Sequence, residues 1–154
     1  MDVSARRDVL SRVEIFGKCK RGDLKSMAKC CQEVRYAPGE VLCRQGERGV
    51  ALFVVVEGKV RIVEEMPDGR QVFLGMLGPD SAVGEMAVID GEERTATVIA
   101  EEPTLCLTMT SWDLKATIKD RPTIAFDILT TVVHRFRETT NELRRMRRES
   151  RAQE

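Results

Sequence analysis

The residues best suited to binding or chemistry lie in one segment past the middle of the chain. Arg94 carries a planar fork of N–H donors that suits a phosphate group, and the hydroxyl of the adjacent Thr95 is a further donor. Glu85 cannot bind a phosphate, but its carboxylate can accept hydrogen bonds from a sugar hydroxyl. This combination predicts a sugar-phosphate pocket. The alternative is an exposed Glu85–Arg94 ion pair beside a simple turn at Gly84.

The residues between these side chains predict a backbone contribution to the same pocket. Gly84 permits a ligand to approach the backbone closely. Residues 86–89 can form one helical turn whose free N–H groups point at an anion. Asp90, Glu92 and Glu93 add negative charge, so we expect them to weaken anion binding unless they point to solvent.

The composition excludes several classes of protein. The chain has 154 residues, enough for one domain with its own core, and its 42% hydrophobic content excludes a disordered chain. The 25 Lys and Arg residues balance the 25 Asp and Glu residues, which argues against a dedicated nucleic-acid-binding protein. The apolar run around 50–56 is too short to span a bilayer, and no signal core is visible, so no membrane partner is expected.

The remaining reactive residues predict neither catalysis nor metal binding. Five cysteines without C-x-x-C spacing are typical of reduced thiols in a cytoplasmic protein: Cys19, Cys30, Cys31, Cys43 and Cys106. His134 is the single histidine and has no metal-ligand spacing around it. An enzyme using Glu85 as a base would lack a second catalytic group. We therefore expect no catalytic residue, no metal and no cofactor, and a sensor rather than an enzyme.

The distribution of glycine predicts a β-rich framework for the pocket. Most glycines fall between 39 and 91, separated by short runs rich in β-branched residues. These runs predict strands over 40–44, 50–57, 59–65, 71–77, 94–101 and 104–109. Pro67-Asp68-Gly69 is typical of the turn of a hairpin. We expect a mainly β sandwich or barrel.

Helices are predicted on both sides of the β-rich segment. Apolar spacing indicates helices over 6–15 and 23–31, while Ser111 and Pro122 are suited to begin two more. The last helix is expected to run from Pro122 to about Arg148, a length of roughly 40 Å. An apolar stripe follows it: Leu129, Val132, Val133, Phe136, Leu143 and Met146. The stripe predicts either core packing or a two-helix seam in a homodimer.

Taken together, these motifs resemble the cyclic nucleotide-binding domains of bacterial cyclic-AMP receptor proteins, protein kinase regulatory subunits and cyclic-nucleotide-gated channels. The cassette, residues 84–98, is similar to the family's phosphate-binding motif in Gly84-Glu85-Met86-Ala87 and Arg94-Thr95-Ala96-Thr97-Val98. Four further segments look like the family's early strands: 38–42, 45–47, 52–53 and 58–60. The likeness runs from about Leu10 to Leu143.

The resemblance implies a fold and a domain plan. It implies a double-stranded β-helix, that is, a jelly-roll-like β-roll with N-terminal helices and a long C-terminal helix. The expected plan is a single domain over 1–154, with N-terminal helices in 1–33, the β-roll in 34–110 and C-terminal helices in 111–150.

The resemblance also implies roles for individual residues. Glu85 would bind the ribose 2′-hydroxyl, Arg94 and Thr95 would hold the cyclic phosphate, and the amides of Met86 and Ala87 would complete the cradle. The full set of expected nucleotide contacts is Gly84, Glu85, Met86, Ala87, Arg94, Thr95, Ala96, Leu74, Thr139 and Thr140.

The pair Thr139–Thr140 has two interpretations. In the family, a hydroxyl pair late in the long helix reaches the purine from both subunits, which favours adenine and cAMP as the ligand. Back-bonding of both hydroxyls to the helix carbonyls is the alternative. Thr95 is compatible with cGMP as well, because its hydroxyl can bond a guanine amino group.

Two functions remain open from the sequence. The first is a stand-alone cyclic nucleotide sensor, with cAMP favoured, that signals through its C-terminal helix to an unknown downstream protein. The second is a ligand-free β-roll interaction module acting through the same helix, since residues 135–151 hold seven arginines against three glutamates. Few residues follow that helix, so no direct reading of the DNA major groove is expected.

Overall fold

The computed structural model describes residues 1–153. Helices and strands follow one another in the described chain as α1 Val3–Arg12, a 3₁₀ helix Glu14–Phe16, α2 Arg21–Cys30, β1 Gln32–Tyr36, β2 Val41–Cys43, β3 Ala51–Glu57, β4 Val60–Glu65, β5 Gln71–Leu77, β6 Ala82–Val83, α3 Glu85–Asp90, β7 Thr97–Ala100, β8 Thr104–Thr110, α4 Ser111–Asp120 and α5 Thr123–Ala152. The predicted mainly β fold with flanking helices is confirmed.

The strands form two four-stranded antiparallel sheets. One sheet has the order β1-β8-β3-β6 and the other the order β2-β7-β4-β5. Strand β3 is apolar at nearly every position because both of its faces are covered. Its Leu52 and Val54 pack with the helices, whereas Phe53 and Val55 belong to a second core formed by residues of both sheets. The helices therefore cover one sheet, and the second core lies on that sheet's other face.

The hairpin predicted at Pro67-Asp68-Gly69 joins β4 to β5. The backbone N–H of Met66 donates to the carbonyl of Arg70 at 2.8 Å, and Gly69 has φ +84°, which glycine adopts without strain. Strand β5 also carries a β-bulge. Ile62 lies opposite Gly75 and Val63 opposite Phe73, so Leu74 is the extra residue between them.

Several element boundaries differ from the expectations. Strand β1 was not predicted because three of its five residues are polar and exposed, and it begins within the segment expected to be helical. Strand β6 has only two residues, too few for a visible pattern. The strand expected over 94–101 begins only at Thr97, because residues 94–96 form a loop that does not pair with β4. Helix α4 is capped by the hydroxyl of Thr110, which accepts from the Asp113 N–H, rather than by Ser111.

Helix α5 begins after Pro122 as predicted and runs for 30 residues, about 45 Å at 1.5 Å per residue. Its buried residues are Ile124, Ile128 and Thr131, all in its first third. Every residue over 141–153 is exposed. The predicted long C-terminal helix is confirmed. Within residues 1–153, no helix is long and apolar enough to cross a membrane.

A buried carboxylate ties the N-terminal helices to the corner between α4 and α5. Asp23, only 4% exposed, accepts hydrogen bonds from Thr123 Oγ1 at 2.7 Å and from Arg121 Nη1 at 3.0 Å. The Thr123 hydroxyl, followed by the Arg121 guanidinium, holds the pKa of Asp23 below its usual value. The end of α4 and the start of α5 are thus both fixed to α2.

We predict that Asp23→Asn lowers the free energy of unfolding by about 1–2 kcal/mol at pH 7, because it removes charge-assisted hydrogen bonds to a partly exposed arginine. Since the folded-state pKa of Asp23 is lowered, its contribution is present above the unfolded pKa and is lost as the pH falls through the folded pKa. Urea unfolding of both proteins between pH 7 and pH 2 checks this.

Asp120→Asn is the matched control, since Asp120 is exposed at the end of α4. The account of Asp23 would be contradicted if wild type and Asp23→Asn differed in free energy of unfolding as much near pH 2 as at pH 7.

Candidate functional site

A cavity of about 240 Å³ opens between the cassette and the inner faces of the two sheets. Its walls contain residues from β2, β4, β5, β6, α3, β7 and the loop before β7: Cys43, Ile62, Leu77, Ala82, Val83, Gly84, Glu85, Met86, Ala87, Glu93, Arg94, Thr95, Ala96 and Val98. Seven of the ten residues expected to contact a nucleotide are brought together here: Gly84, Glu85, Met86, Ala87, Arg94, Thr95 and Ala96. That they bind a nucleotide stays a prediction.

Gly84 begins the cassette in a conformation that other residues rarely adopt. It has φ +81° and ψ +16°, the left-handed region, and serves as the N-cap of α3. A Cβ atom at this position would lie 1.9 Å from Arg94 Nη1. Glycine is therefore required here for two reasons, the backbone angle and the approach of Arg94.

Arg94 is the central side chain of the cavity wall and is only 6% exposed. Its Nη1 donates to the carbonyl of Gly84 at 3.0 Å and its Nη2 to the carbonyl of Ala51, while Cζ lies 5.8 Å from the centroid of the Phe53 ring. Within residues 1–153 it forms no ion pair with a carboxylate. The alternative of an exposed Glu85–Arg94 ion pair is therefore wrong.

Glu85 faces the cavity from the first turn of α3 and has a partner that the sequence did not indicate. Its Oε1 accepts from Arg135 Nη1 at 3.5 Å, and the same guanidinium donates through Nε to Glu14 Oε1 at 2.8 Å. Nothing in the sequence pattern singles out Arg135 among the arginines of α5, because its partners lie 50 and 121 residues away. The N–H groups of Met86 and Ala87 share this first turn, where a helix offers no acceptor of its own.

The apolar part of the cavity was not predicted. It consists of side chains that point between the two sheets: Cys43, Ile62, Leu77, Val83 and Val98. Strand alternation is the signal that could have found them, once the inner faces were known. Burial raises the pKa of the Cys43 thiol, so this wall is uncharged near neutral pH.

Three expected contacts lie elsewhere. Leu74 is 54% exposed on β5 and does not line the cavity. Thr139 and Thr140 also lie outside its walls, on α5. In the described chain, back-bonding to the residue four positions earlier occurs at Thr130 and Thr131 but not at Thr139 or Thr140. A single copy of the chain therefore leaves this hydroxyl pair without a protein partner.

The acidic residues at the end of α3 and just after it are exposed, which is the condition under which they would not weaken anion binding. Asp90, Glu92 and Glu93 are exposed, and Asp90 Oδ1 accepts from the Glu92 N–H at 2.9 Å. Glu93 nevertheless lines the mouth of the cavity. The five cysteines are unpaired thiols, and no group of metal-ligating side chains is found in the part of the chain that the structure describes.

We predict that Gly84→Ala lowers the free energy of unfolding by more than Gly91→Ala. Both glycines have positive φ, which costs an alanine about 1–2 kcal/mol, but a Cβ at Gly91 meets nothing within 4 Å. At Gly84 the methyl group also displaces Arg94 from its carbonyl acceptor. Guanidinium chloride unfolding of the two variants isolates the cost of displacing Arg94. Equal losses in the free energy of unfolding would show that the position of Arg94 does not depend on Gly84.

Comparison with known proteins identifies the family. The family model described as "Cyclic nucleotide-binding domain" matches residues 33–121, which contain the whole cassette. A "CRP-like cAMP-activated global transcriptional regulator" of Mycobacterium tuberculosis is 30% identical over 136 residues, 88% of this chain and 61% of the relative. The "Cyclic AMP receptor protein" of Thermus thermophilus is 35% identical over 108 residues, 70% of this chain and 50% of the relative.

The fold is also shared with a solved structure. The N-terminal domain of a transcriptional regulator from Streptomyces coelicolor superposes with a TM-score of 0.80 at 34% identity, covering 87% of this chain and 96% of that domain. The chain spans less than two thirds of the length of either curated relative. Because the family model covers more than half of its residues, this protein belongs to the cyclic nucleotide-binding domain family.

Proposed function

We propose that the chain is a cyclic nucleotide sensor whose cavity binds the ribose and cyclic phosphate of cAMP. The observation that carries this proposal is the environment of Arg94. A guanidinium that is almost fully buried costs free energy unless its charge is compensated, and its hydrogen-bond partners are two neutral carbonyls. An anion in the cavity would supply the missing negative charge.

The other cavity residues support a sugar phosphate rather than a simple anion. The exposed Thr95 hydroxyl and the first-turn N–H groups of Met86 and Ala87 are further donors for phosphate oxygens. Glu85 supplies an acceptor for a ribose hydroxyl on the same wall. Opposite them lies the uncharged wall formed by the two sheets, which suits a base or the apolar face of a sugar.

The choice of cAMP over cGMP rests on two lines of support. The M. tuberculosis and T. thermophilus relatives are named for cAMP. The unpartnered hydroxyls of Thr139 and Thr140 would suit an adenine if a second copy brought them over the cavity. We propose cAMP as the ligand and cGMP as the competitor to test, with Leu74 as a further contact in the assembled protein.

We propose that the signal leaves through α5 in a homodimer. Arg135 joins this helix to Glu85, so a ligand that engages Glu85 also acts on the helix. Exposed apolar side chains of α5 follow spacings of three, four and seven and suit a parallel two-helix seam: Phe126, Leu129, Val133, Phe136 and Leu143. Several expectations stay predictions. They are the single domain, its stand-alone action, its cytoplasmic location, an unknown downstream protein, and the lack of catalysis and of major-groove contacts.

We predict that Arg94→Ala weakens cAMP binding about tenfold to a hundredfold, because it removes charge-assisted hydrogen bonds of about 1.5–3 kcal/mol. Isothermal titration calorimetry measures the change. Arg35→Ala is the control, since Arg35 is exposed on β1, a strand that contributes no residue to the cavity walls. Thr95→Ala, an exposed position, reports on the same phosphate if loss of Arg94 disturbs folding.

Wild-type protein that binds neither cAMP nor cGMP at millimolar concentration would overturn the proposal. That result would favour the ligand-free interaction module acting through the arginine-rich end of α5.

For the homodimer, we predict that Phe136→Glu converts the protein to a monomer. Phe136 is 71% exposed in the single chain, and two glutamates facing each other in a seam would repel. His134→Glu, on the opposite side of α5, is the matched control and should leave the dimer intact. Sedimentation velocity distinguishes the two; a monomeric wild type, or dissociation by both variants, would contradict the seam.

A further inference from the structure

We propose that Glu14 is a positioning residue for the nucleotide-binding carboxylate Glu85, acting through Arg135. Glu14 lies in the 3₁₀ helix between α1 and α2, far from the cassette in sequence and outside the walls of the cavity. The inference rests on the proposed function, in which Glu85 accepts a hydrogen bond from the ribose 2′-hydroxyl.

The contact geometry assigns the stronger hold on Arg135 to Glu14. The Nε–Oε1 distance to Glu14 is 2.8 Å, whereas the Nη1–Oε1 distance to Glu85 is 3.5 Å. The hydrogen bond with Glu14 is also the main reason why the pKa of Arg135 is raised, and the Arg135 guanidinium in turn lowers the pKa of Glu14. Arg135 is therefore anchored at Glu14 and only reaches towards Glu85.

Glu14 is able to act as an anchor because its backbone is fixed. The two residues after it in the 3₁₀ helix, Ile15 and Phe16, are 2% and 1% exposed and belong to the core that also holds α5. The Glu14 side chain itself is 68% exposed. A substitution that removes only its charge thus leaves the packing beneath it untouched.

The anchor determines how much of Glu85 is available to a ligand. With Nε committed to Glu14, Arg135 reaches Glu85 through a single N–H and only at Oε1. Among the described residues, the second oxygen of Glu85 accepts no hydrogen bond, and Glu85 lines the cavity, so we assign this oxygen to the sugar hydroxyl. Without Glu14, the planar guanidinium is free to turn and bind both oxygens of Glu85 in the bidentate manner that arginine favours, or to leave Glu85 unsupported. Either change weakens the contact between Glu85 and the ribose hydroxyl.

The test compares the binding of two nucleotides to the chain of residues 1–154 by isothermal titration calorimetry. One is cAMP and the other is 2′-deoxy-cAMP, which lacks the hydroxyl assigned to Glu85. We expect Glu14→Gln to weaken cAMP binding about threefold to fivefold, the range of one exposed ion pair, and to leave 2′-deoxy-cAMP binding unchanged. Thermal unfolding of the variant without ligand should match that of wild type within about 2 °C.

Glu101→Gln is the matched control. Glu101 also pairs with an arginine across the fold, Arg61, at 2.9 Å, but on the outside of the roll away from the cavity walls. This variant should bind both nucleotides as wild type does.

Two results would overturn the role of Glu14 while wild type still binds cAMP. One is an unchanged cAMP affinity in Glu14→Gln, and the other is an equal loss for both nucleotides, which would indicate a general structural effect. Failure of wild type to bind cAMP is a separate outcome, because it overturns the proposed function itself and the role of Glu14 with it.

Discussion

The positive charge of Arg94 lies inside the roll and is held by neutral groups. Two carbonyls, those of Gly84 and Ala51, accept its hydrogen bonds, and the ring of Phe53 lies beneath it. Each of these partners constrains the chain: Gly84 must be left-handed and lack a side chain, and β3 must present the carbonyl of Ala51 and the ring of Phe53 to the cassette. The position of α3 follows from the same contacts. A protein that maintains such a charge without a carboxylate is prepared for an anion.

A second set of charges connects this cavity to the long helix. Glu85 belongs to the cavity, Arg135 to α5 and Glu14 to the N-terminal 3₁₀ helix, so three elements distant in sequence meet in one network. The first third of α5 is packed against the core, and the corner before it is fixed by Asp23. In the proposed function, a ligand that changes the partners of Glu85 acts near the point where α5 leaves the domain, and the exposed remainder of α5 pairs with another helix.

Much of this architecture could be predicted from local patterns. The hairpin at Pro67-Asp68-Gly69, the strand 71–77 and the start of α5 are set by turn chemistry, alternation and proline, all of which are visible in the sequence. The cassette residues could be named because, taken together, they resemble the phosphate-binding motif of a known family. Strands β1 and β6 could not, because one is polar and exposed and the other has two residues. The role of Arg135 depends on partners 50 and 121 residues away, which no local pattern encodes.

A crystal structure of this chain grown with cAMP tests the central claim most directly. The account predicts a phosphate oxygen within hydrogen-bond distance of the Arg94 guanidinium, with the ribose 2′-hydroxyl beside Glu85. The compensating charge would then lie where the buried guanidinium lacks one. A nucleotide bound elsewhere, or an empty cavity at saturating cAMP with Arg94 still on its two carbonyls, would contradict it.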